Sequence, residues 1–342
     1  MQNRSFCLVL LATLTLGCHS RQATDTSGAT GSSSKTKIQA VATVGMVADL
    51  VRNVGGELVD VTQICGAGVD PHLYKPTRDD VQHIMEADIV FYCGLMLEGK
   101  MADTLEKVGR SKPVIAATHA IDPARLMTGD GEALPDDDKS HTAKPHGDPH
   151  VWNDVSLWSQ CVDVIRDELT TLAPEHGDQF AENAAAYRSE LAKLHEYGVN
   201  AIATIPEERR LLITSHDAFN YFGRAYGIEV RGIQGISTES EAGLQQINGL
   251  VDVLIRRNVG AVFIESSVSP KNVEALIEGA ASKGHKVVKG GLLYSDAMGP
   301  EGSYEGTYIG MLDHNLTTTT RALGGDVDAT GFQGKLAGAV DE

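Results

Sequence analysis

Residues 174–204 constrain the fold more than any other stretch. Apolar side chains recur there at Phe180, Ala184, Tyr187, Leu191, Leu194 and Tyr197, in steps of three and four. Such spacing puts them on one face of a single helix. At ~1.5 Å per residue that helix runs roughly 45 Å. It is longer than one small lobe and is suited to brace two.

Short apolar runs and helix-like segments alternate on both sides of it. Residues 38–44, 58–64, 89–93 and 114–117 read as strands. Residues 46–54 read as a helix stopped by Gly55-Gly56. Thr77 caps another that runs through residue 87, with Asp79 and Asp80 in its first turn. A further helix starts at Asn153 or Asp154 and ends near 172. After Pro206 the strands are 211–214, 228–232, 261–264 and 286–288, and the helices 218–226, 241–256, 270–283 and 304–323. Strand–helix–strand order calls for parallel sheets with crossover helices. The expected class is α/β, with an N-terminal αβ lobe over 37–173, a linking helix over 174–204 and a C-terminal αβ lobe over 205–324. The Gly-rich stretch 325–342 is expected to be a disordered tail.

The start of the chain reads as an export signal. Arg4 precedes an apolar run over 6–16, followed by Gly17-Cys18. The run is too short for a membrane span, which needs about 20 residues. A cysteine directly after a small residue resembles the lipobox of bacterial lipoproteins, in which that cysteine is lipidated and becomes the mature N-terminus. Thr15 stands where the pattern prefers Leu. An ordinary signal peptide cut near Gly17 is the alternative. Residues 19–36 are rich in Ser, Thr and Gly and suit a flexible tether behind Cys18. The protein is thus expected to cross the inner membrane and to stay periplasmic or at the cell surface, held by an N-terminal lipid.

Charge and cysteines exclude some functions. Lys and Arg number 29 against 46 Asp and Glu, a formal charge of −17. Nucleic-acid binders present a basic face, so no nucleic-acid partner is expected. An acidic surface fits attraction of cations, or simply solubility. Beyond the leader, Cys65, Cys93 and Cys161 remain, an odd set without a C-x-x-C. No thiolate zinc site is supported.

The sharpest local signal is a repeated tripeptide. Asp70-Pro71-His72 recurs as Asp148-Pro149-His150, each shortly after a glycine, Gly68 and Gly147. Composition predicts only a few hundredths of one copy by chance, on the order of 0.03. Proline fixes the backbone just before each histidine and restrains where the ring points. Fixed placement suits a metal ligand; two turns that merely use proline are the alternative. His216 follows an apolar strand, and in parallel αβ folds ligands gather at strand carboxyl ends. Asp296, in Tyr294-Ser295-Asp296-Ala297-Met298-Gly299, reads by itself as a turn or helix-capping residue. His141 and His146 sit in a polar loop over 128–146 with Asp136, Asp137 and Asp138.

These stretches resemble the metal-binding receptors of bacterial ABC importers for manganese and zinc. The likeness runs from about Val41 to Leu323. It is carried by Gly68-Val69-Asp70-Pro71-His72-Leu73-Tyr74, Ala87-Asp88-Ile89-Val90-Phe91-Tyr92 with Gly94-Leu95 and Leu97-Glu98, and Asp148-Pro149-His150-Val151-Trp152. Thr214-Ser215-His216-Asp217-Ala218-Phe219, Phe263-Ile264-Glu265-Ser266 and the stretch around Asp296 follow in order. The last is especially similar to the treponemal-type receptor. The resemblance implies two αβ lobes joined by one long helix, with a metal cleft between them. It implies His72, His150, His216 and Asp296 as ligands, Glu265 near the site without being a ligand, and Zn2+ or Mn2+ as the transported ion. The implied partner is a cognate membrane permease, served by a monomer. Three imidazoles and one carboxylate suit zinc and tolerate manganese.

Capture rather than catalysis is expected, so the chain is not expected to be an enzyme. A metal-dependent hydrolase is the main rival, but no H-E-x-x-H occurs. A surface adhesin with a structural metal is a second rival.

Overall fold

A computed structural model describes residues 37–128 and 147–337. The leader with Cys18, the tether over 19–36 and the loop histidines His141 and His146 lie outside the described residues. In the N-terminal lobe, β1 (Ile38–Ala42), α1 (Gly45–Gly55), β2 (Val59–Gln63), α2 (Arg78–Glu86), β3 (Ile89–Tyr92), α3 (Ala102–Gly109) and β4 (Val114–Ala116) follow one another. Their strands pair in parallel in the order β2-β1-β3-β4. Thr77 caps α2 as its sequence requires: its hydroxyl accepts from the Asp80 N–H, and the Asp80 carboxylate accepts from the Thr77 N–H. Two further helices, α4 (Val155–Trp158) and α5 (Cys161–Leu172), lead to α6 (Gly177–Ala203).

The C-terminal lobe comprises β5 (Leu211–Thr214), α7 (Asn220–Tyr226), β6 (Glu229–Gly232), α8 (Leu244–Arg257), β7 (Ala261–Glu265), α9 (Lys271–Ser282), β8 (Val288–Leu293) and α10 (Tyr308–Ala322). β5 pairs with β6 and β7 with β8, both in parallel, and β5 lies beside β7. The expected architecture is therefore observed: two parallel αβ lobes and one long helix between them.

Helix α6 buries Phe180, Ala184, Tyr187, Leu191 and Leu194 on the face read from the sequence. It packs on α1, α4 and α5 from one lobe and on α7 and α10 from the other. One apolar core runs through it without a break, from Val41 and Phe91 in the first sheet to Phe222, Phe263 and Leu316 in the second lobe. A smaller core fills the other face of the C-terminal sheet, where Ile213 and Val262 meet Leu254 and Leu276. Among the described residues no helix is long and apolar enough to cross a membrane. Cys65, Cys93 and Cys161 are free and buried, and burial raises all three thiols well above their ordinary range.

Several expectations fail for physical reasons. The helix from 153 to 172 is two helices, because the chain turns at Ser159-Gln160 between α4 and α5. Helix α3 was missed. The last helix begins at Tyr308, since Thr307, whose hydroxyl accepts from the Gly310 N–H, is its cap. Strand β8 runs on to Leu293 through Gly290 and Gly291, residues that weaken any strand reading. Gly290 is needed there, because a Cβ would lie 2.9 Å from the Phe263 ring. Residues 325–337 are not a disordered tail. Phe332 donates its N–H to Asp313 Oδ1 at 2.8 Å and stacks near Tyr197, and Leu336 is buried. The glycines that suggested disorder turn the chain instead, Gly331 at φ 75° and Gly334 at φ 66°.

Gly198 marks a close approach of α6 to the second lobe. A Cβ there would meet Tyr226 at 2.7 Å and Leu316 at 2.9 Å. Gly198→Val is expected to destabilise the protein by about 2 kcal/mol or more through overpacking. The neighbouring, exposed Val199→Ala should cost no more than ~0.5 kcal/mol. Urea unfolding of the two variants tests the close approach of α6, which equal costs would contradict.

Candidate metal centre

Four side chains from four separate loops converge between the lobes. His72 lies in the connection after β2, and His150 just ahead of α4. His216 follows β5 directly, and Asp296 follows β8. Strand carboxyl ends are where a parallel sheet presents its loops, so the fold itself delivers His72, His216 and Asp296 to one cleft. All four are buried, and one potential ligand atom from each lies within 4.8 Å of the others.

The spacing of the facing atoms is informative. His72 Nε2 and His150 Nε2 are 3.3 Å apart. Asp296 Oδ1 is 3.4 Å from His150 Nε2, and Asp296 Oδ2 is 3.2 Å from His216 Nε2 and 3.8 Å from His72 Nε2. Four donors placed tetrahedrally ~2.0–2.1 Å from one ion would lie roughly 3.3 Å from one another. His216 Nε2 and both Asp296 oxygens are buried without a hydrogen-bond partner. Buried polar atoms are rarely left so, and when they are they require an explanation. A shared cation satisfies all three.

The repeated Asp-Pro-His acquires a structural reason. Asp70 Oδ1 accepts the His72 N–H at 2.8 Å, and Asp148 Oδ1 accepts the His150 N–H at 2.9 Å. Each aspartate closes a small turn onto its own histidine, and the intervening proline holds that turn. Sequence reasoning credited the proline and passed over the aspartate. Asp148 goes further and accepts from His150 Nδ1 at 2.7 Å. Glu265, the last residue of β7, does the same for His216 at 2.5 Å and also accepts the His216 N–H at 2.9 Å. An Nδ1–H held by a carboxylate turns Nε2 inward as the ligand atom. Glu265 thus sits beside the site and supports a ligand, as the resemblance implied.

Electrostatics separate the three imidazoles. Burial lowers His72, and the nearby Asp296 only partly offsets it, leaving its pKa at about 4. Burial would lower His150 too, but the Asp148 and Asp296 carboxylates outweigh it and raise it to about 9. His216 is likewise opposed by burial and raised well above its ordinary value by Asp296 and Glu265. Burial acts to raise Asp296, yet the His216 and His150 charges hold it well below the usual carboxylate range. His285 and His314 serve the fold instead: they bond the carbonyl oxygens of Val259 and Leu292 through Nε2.

Removing the supporting carboxylates should loosen the centre without dismantling it. Glu265→Gln and Asp148→Asn are each expected to weaken zinc binding by roughly 10–100-fold. Competition titration against a chromogenic chelator measures this. Native affinity in both variants would mean that the carboxylates do not tune the imidazoles.

Comparison with known proteins agrees with this geometry. Residues 40–322 match the family model of ZnuA, described as zinc-uptake complex component A, periplasmic. The chain is 45% identical over 317 residues to the manganese-binding lipoprotein MntA of Bacillus subtilis, covering 92% of this chain and 97% of that one. It is 42% identical over 283 residues to the zinc-binding protein TroA of Treponema pallidum, covering 83% and 88%. The solved structure of the periplasmic zinc-binding protein TroA superposes with a TM-score of 0.78 at 41% identity, covering 84% of this chain and 99% of that one. By family model, sequence and fold alike, the chain belongs to the ZnuA family of metal-binding receptors of manganese and zinc ABC importers.

Proposed function

We propose that this receptor captures one divalent transition-metal ion, zinc or manganese, with His72, His150, His216 and Asp296 and hands it to a cognate membrane permease. The observation that carries the reading is the buried cluster of four converging donors, three of whose atoms lack any other partner. Four protein ligands fill a tetrahedral shell, whereas catalytic zinc keeps a position for water. The carboxylates next to the ligands are engaged with imidazoles and are poorly placed as general bases. Capture is therefore favoured over hydrolysis.

The donor set is compatible with either metal. Zinc would use one Asp296 oxygen in a four-coordinate shell. Both Asp296 oxygens face the imidazoles, so a larger ion can take both and reach five ligands. Relatives of similar identity are named for manganese in one case and zinc in the other. In the same reading the chain is exported, lipidated at Cys18, tethered by 19–36 and monomeric. A surface adhesin with a structural metal has no particular observation in its favour.

Titrating the metal-free mature domain with zinc and manganese in competition tests the reading. One tight site per chain is expected, and any other stoichiometry overturns capture. His216→Glu hardens the donor set and is expected to shift preference toward manganese. An unchanged preference would refute the role of the third ligand.

Binding should also release protons. His150, raised to about 9, and His216, also raised, carry protons at neutral pH in the metal-free protein. Only the deprotonated Nε2 can ligate, so metal must displace about two protons. Affinity then rises as pH rises from 6 to 8 and falls on acidification. Calorimetry in buffers of different ionisation heat is expected to report about two protons per ion; none released would contradict these protonation states.

A further inference from the structure

The two Asp-Pro-His turns share a second property. In each, one aspartate oxygen holds its own histidine and the other accepts from the opposite lobe. Asp148 Oδ2 accepts from Asn220 Nδ2, at the start of α7, at 3.1 Å. Asp70 Oδ2 accepts from the Thr238 hydroxyl at 2.5 Å. Thr238 belongs to the loop between β6 and α8 in the C-terminal lobe. Each turn therefore links a lobe-to-lobe contact to a metal-ligand backbone.

The two links lie in different surroundings. The Asp148 link is enclosed: Tyr221 donates its hydroxyl to the Asp148 carbonyl, and Trp152 Nε1 donates to the Ser295 carbonyl beside Asp296. Asp148 and His150 are both 0% exposed. The Asp70 link is at the rim. His72 is 6% exposed, against 0% for His150 and His216 and 1% for Asp296. His150 and His216 are further held at Nδ1 by carboxylates, whereas among the described residues no carboxylate holds the His72 ring that way. A second contact crosses at the same loop: Glu239 pairs with Lys100, which lies just ahead of α3 in the N-terminal lobe.

We propose that Thr238 is a positioning residue for His72: its cross-lobe hydrogen bond to Asp70 fixes the turn that places this ligand, and the Glu239–Lys100 pair braces it. Parting of the lobes at the rim breaks the bond from Thr238 to Asp70 and frees the His72 turn. His150 stays held within its own lobe by Asp148, at both its N–H and its Nδ1. Release of the ion then begins at His72. This inference rests on the capture reading, and it adds which ligand yields first and what holds it.

The test uses the mature domain and two readouts. Zinc-loaded protein is mixed with excess chelator and the release rate is followed. Amide hydrogen exchange at His72 is measured in the metal-free protein. Thr238→Val, which keeps the shape and loses the donor, is expected to release zinc roughly tenfold faster, the scale of one hydrogen bond to a carboxylate, and to speed His72 amide exchange. Thr238→Ser, which restores the hydroxyl, should match the native protein on both. Native release or native exchange in Thr238→Val, or equally fast release in Thr238→Ser, overturns the proposal. Glu239→Lys on the exposed rim should also speed release, and Lys100→Glu in the same chain should restore it. A swap that does not restore the rate refutes the brace. If the native chain itself fails to bind one ion, the capture reading has failed, and that is seen before any variant is compared.

Discussion

A single buried carboxylate organises the centre. Asp296 is 1% exposed and faces three imidazoles, and a charge so far from water must be met by opposite charge. It is met from both lobes, by the His216 and His150 charges. His72 and His150 come from one side and His216 from the other, so the full set of imidazoles around the carboxylate is assembled only when the two lobes are held together. Much of the fold can be read as the means to that end: strand ends aim the loops, carboxylates turn the rings, and α6 fixes the distance between the sheets.

The continuous core shapes how such a protein can move. The apolar contacts of α6 do not stop at a lobe boundary, and Gly198 lets the Tyr226 and Leu316 side chains of α7 and α10 close onto the α6 backbone. Wide opening about a flexible linker would tear this core. A packed interior admits small tilts and local loop movement far more readily. The rim loop that carries Thr238 and Glu239 is placed for such movement, since it contacts the other lobe through side chains rather than shared core.

Much of this was legible in the sequence. The 3.6-residue pattern of α6 stood out because the helix is long and one face is buried throughout. The repeated Asp-Pro-His flagged His72 and His150 because a rare pattern occurred twice. His216 was marked by its place after an apolar strand. Asp296 carried no local signal, since its setting is that of any turn before a helix; only the resemblance marked it. What was missed has a common cause. The bonds from Asp148 to His150 Nδ1 and from Glu265 to His216 Nδ1 depend on tertiary placement that spacing does not encode. Glycines misled in two opposite ways. In β8 they hid a strand, and after Gly324 they suggested disorder where the chain folds back on Asp313 and Tyr197.

The carboxylates behind His150 and His216 have an electrical consequence. Together with Asp296 they raise both rings, which favours the protonated form when the metal is absent. On the capture reading, two unit charges leave as one doubly charged ion arrives, so the buried centre has the same net charge whether full or empty. The field at the cleft mouth then carries almost no information about cargo. A transporter facing this receptor must recognise loading from the shape of the closed rim, and salt or surface charge will set how often the two meet without telling a loaded receptor from an empty one.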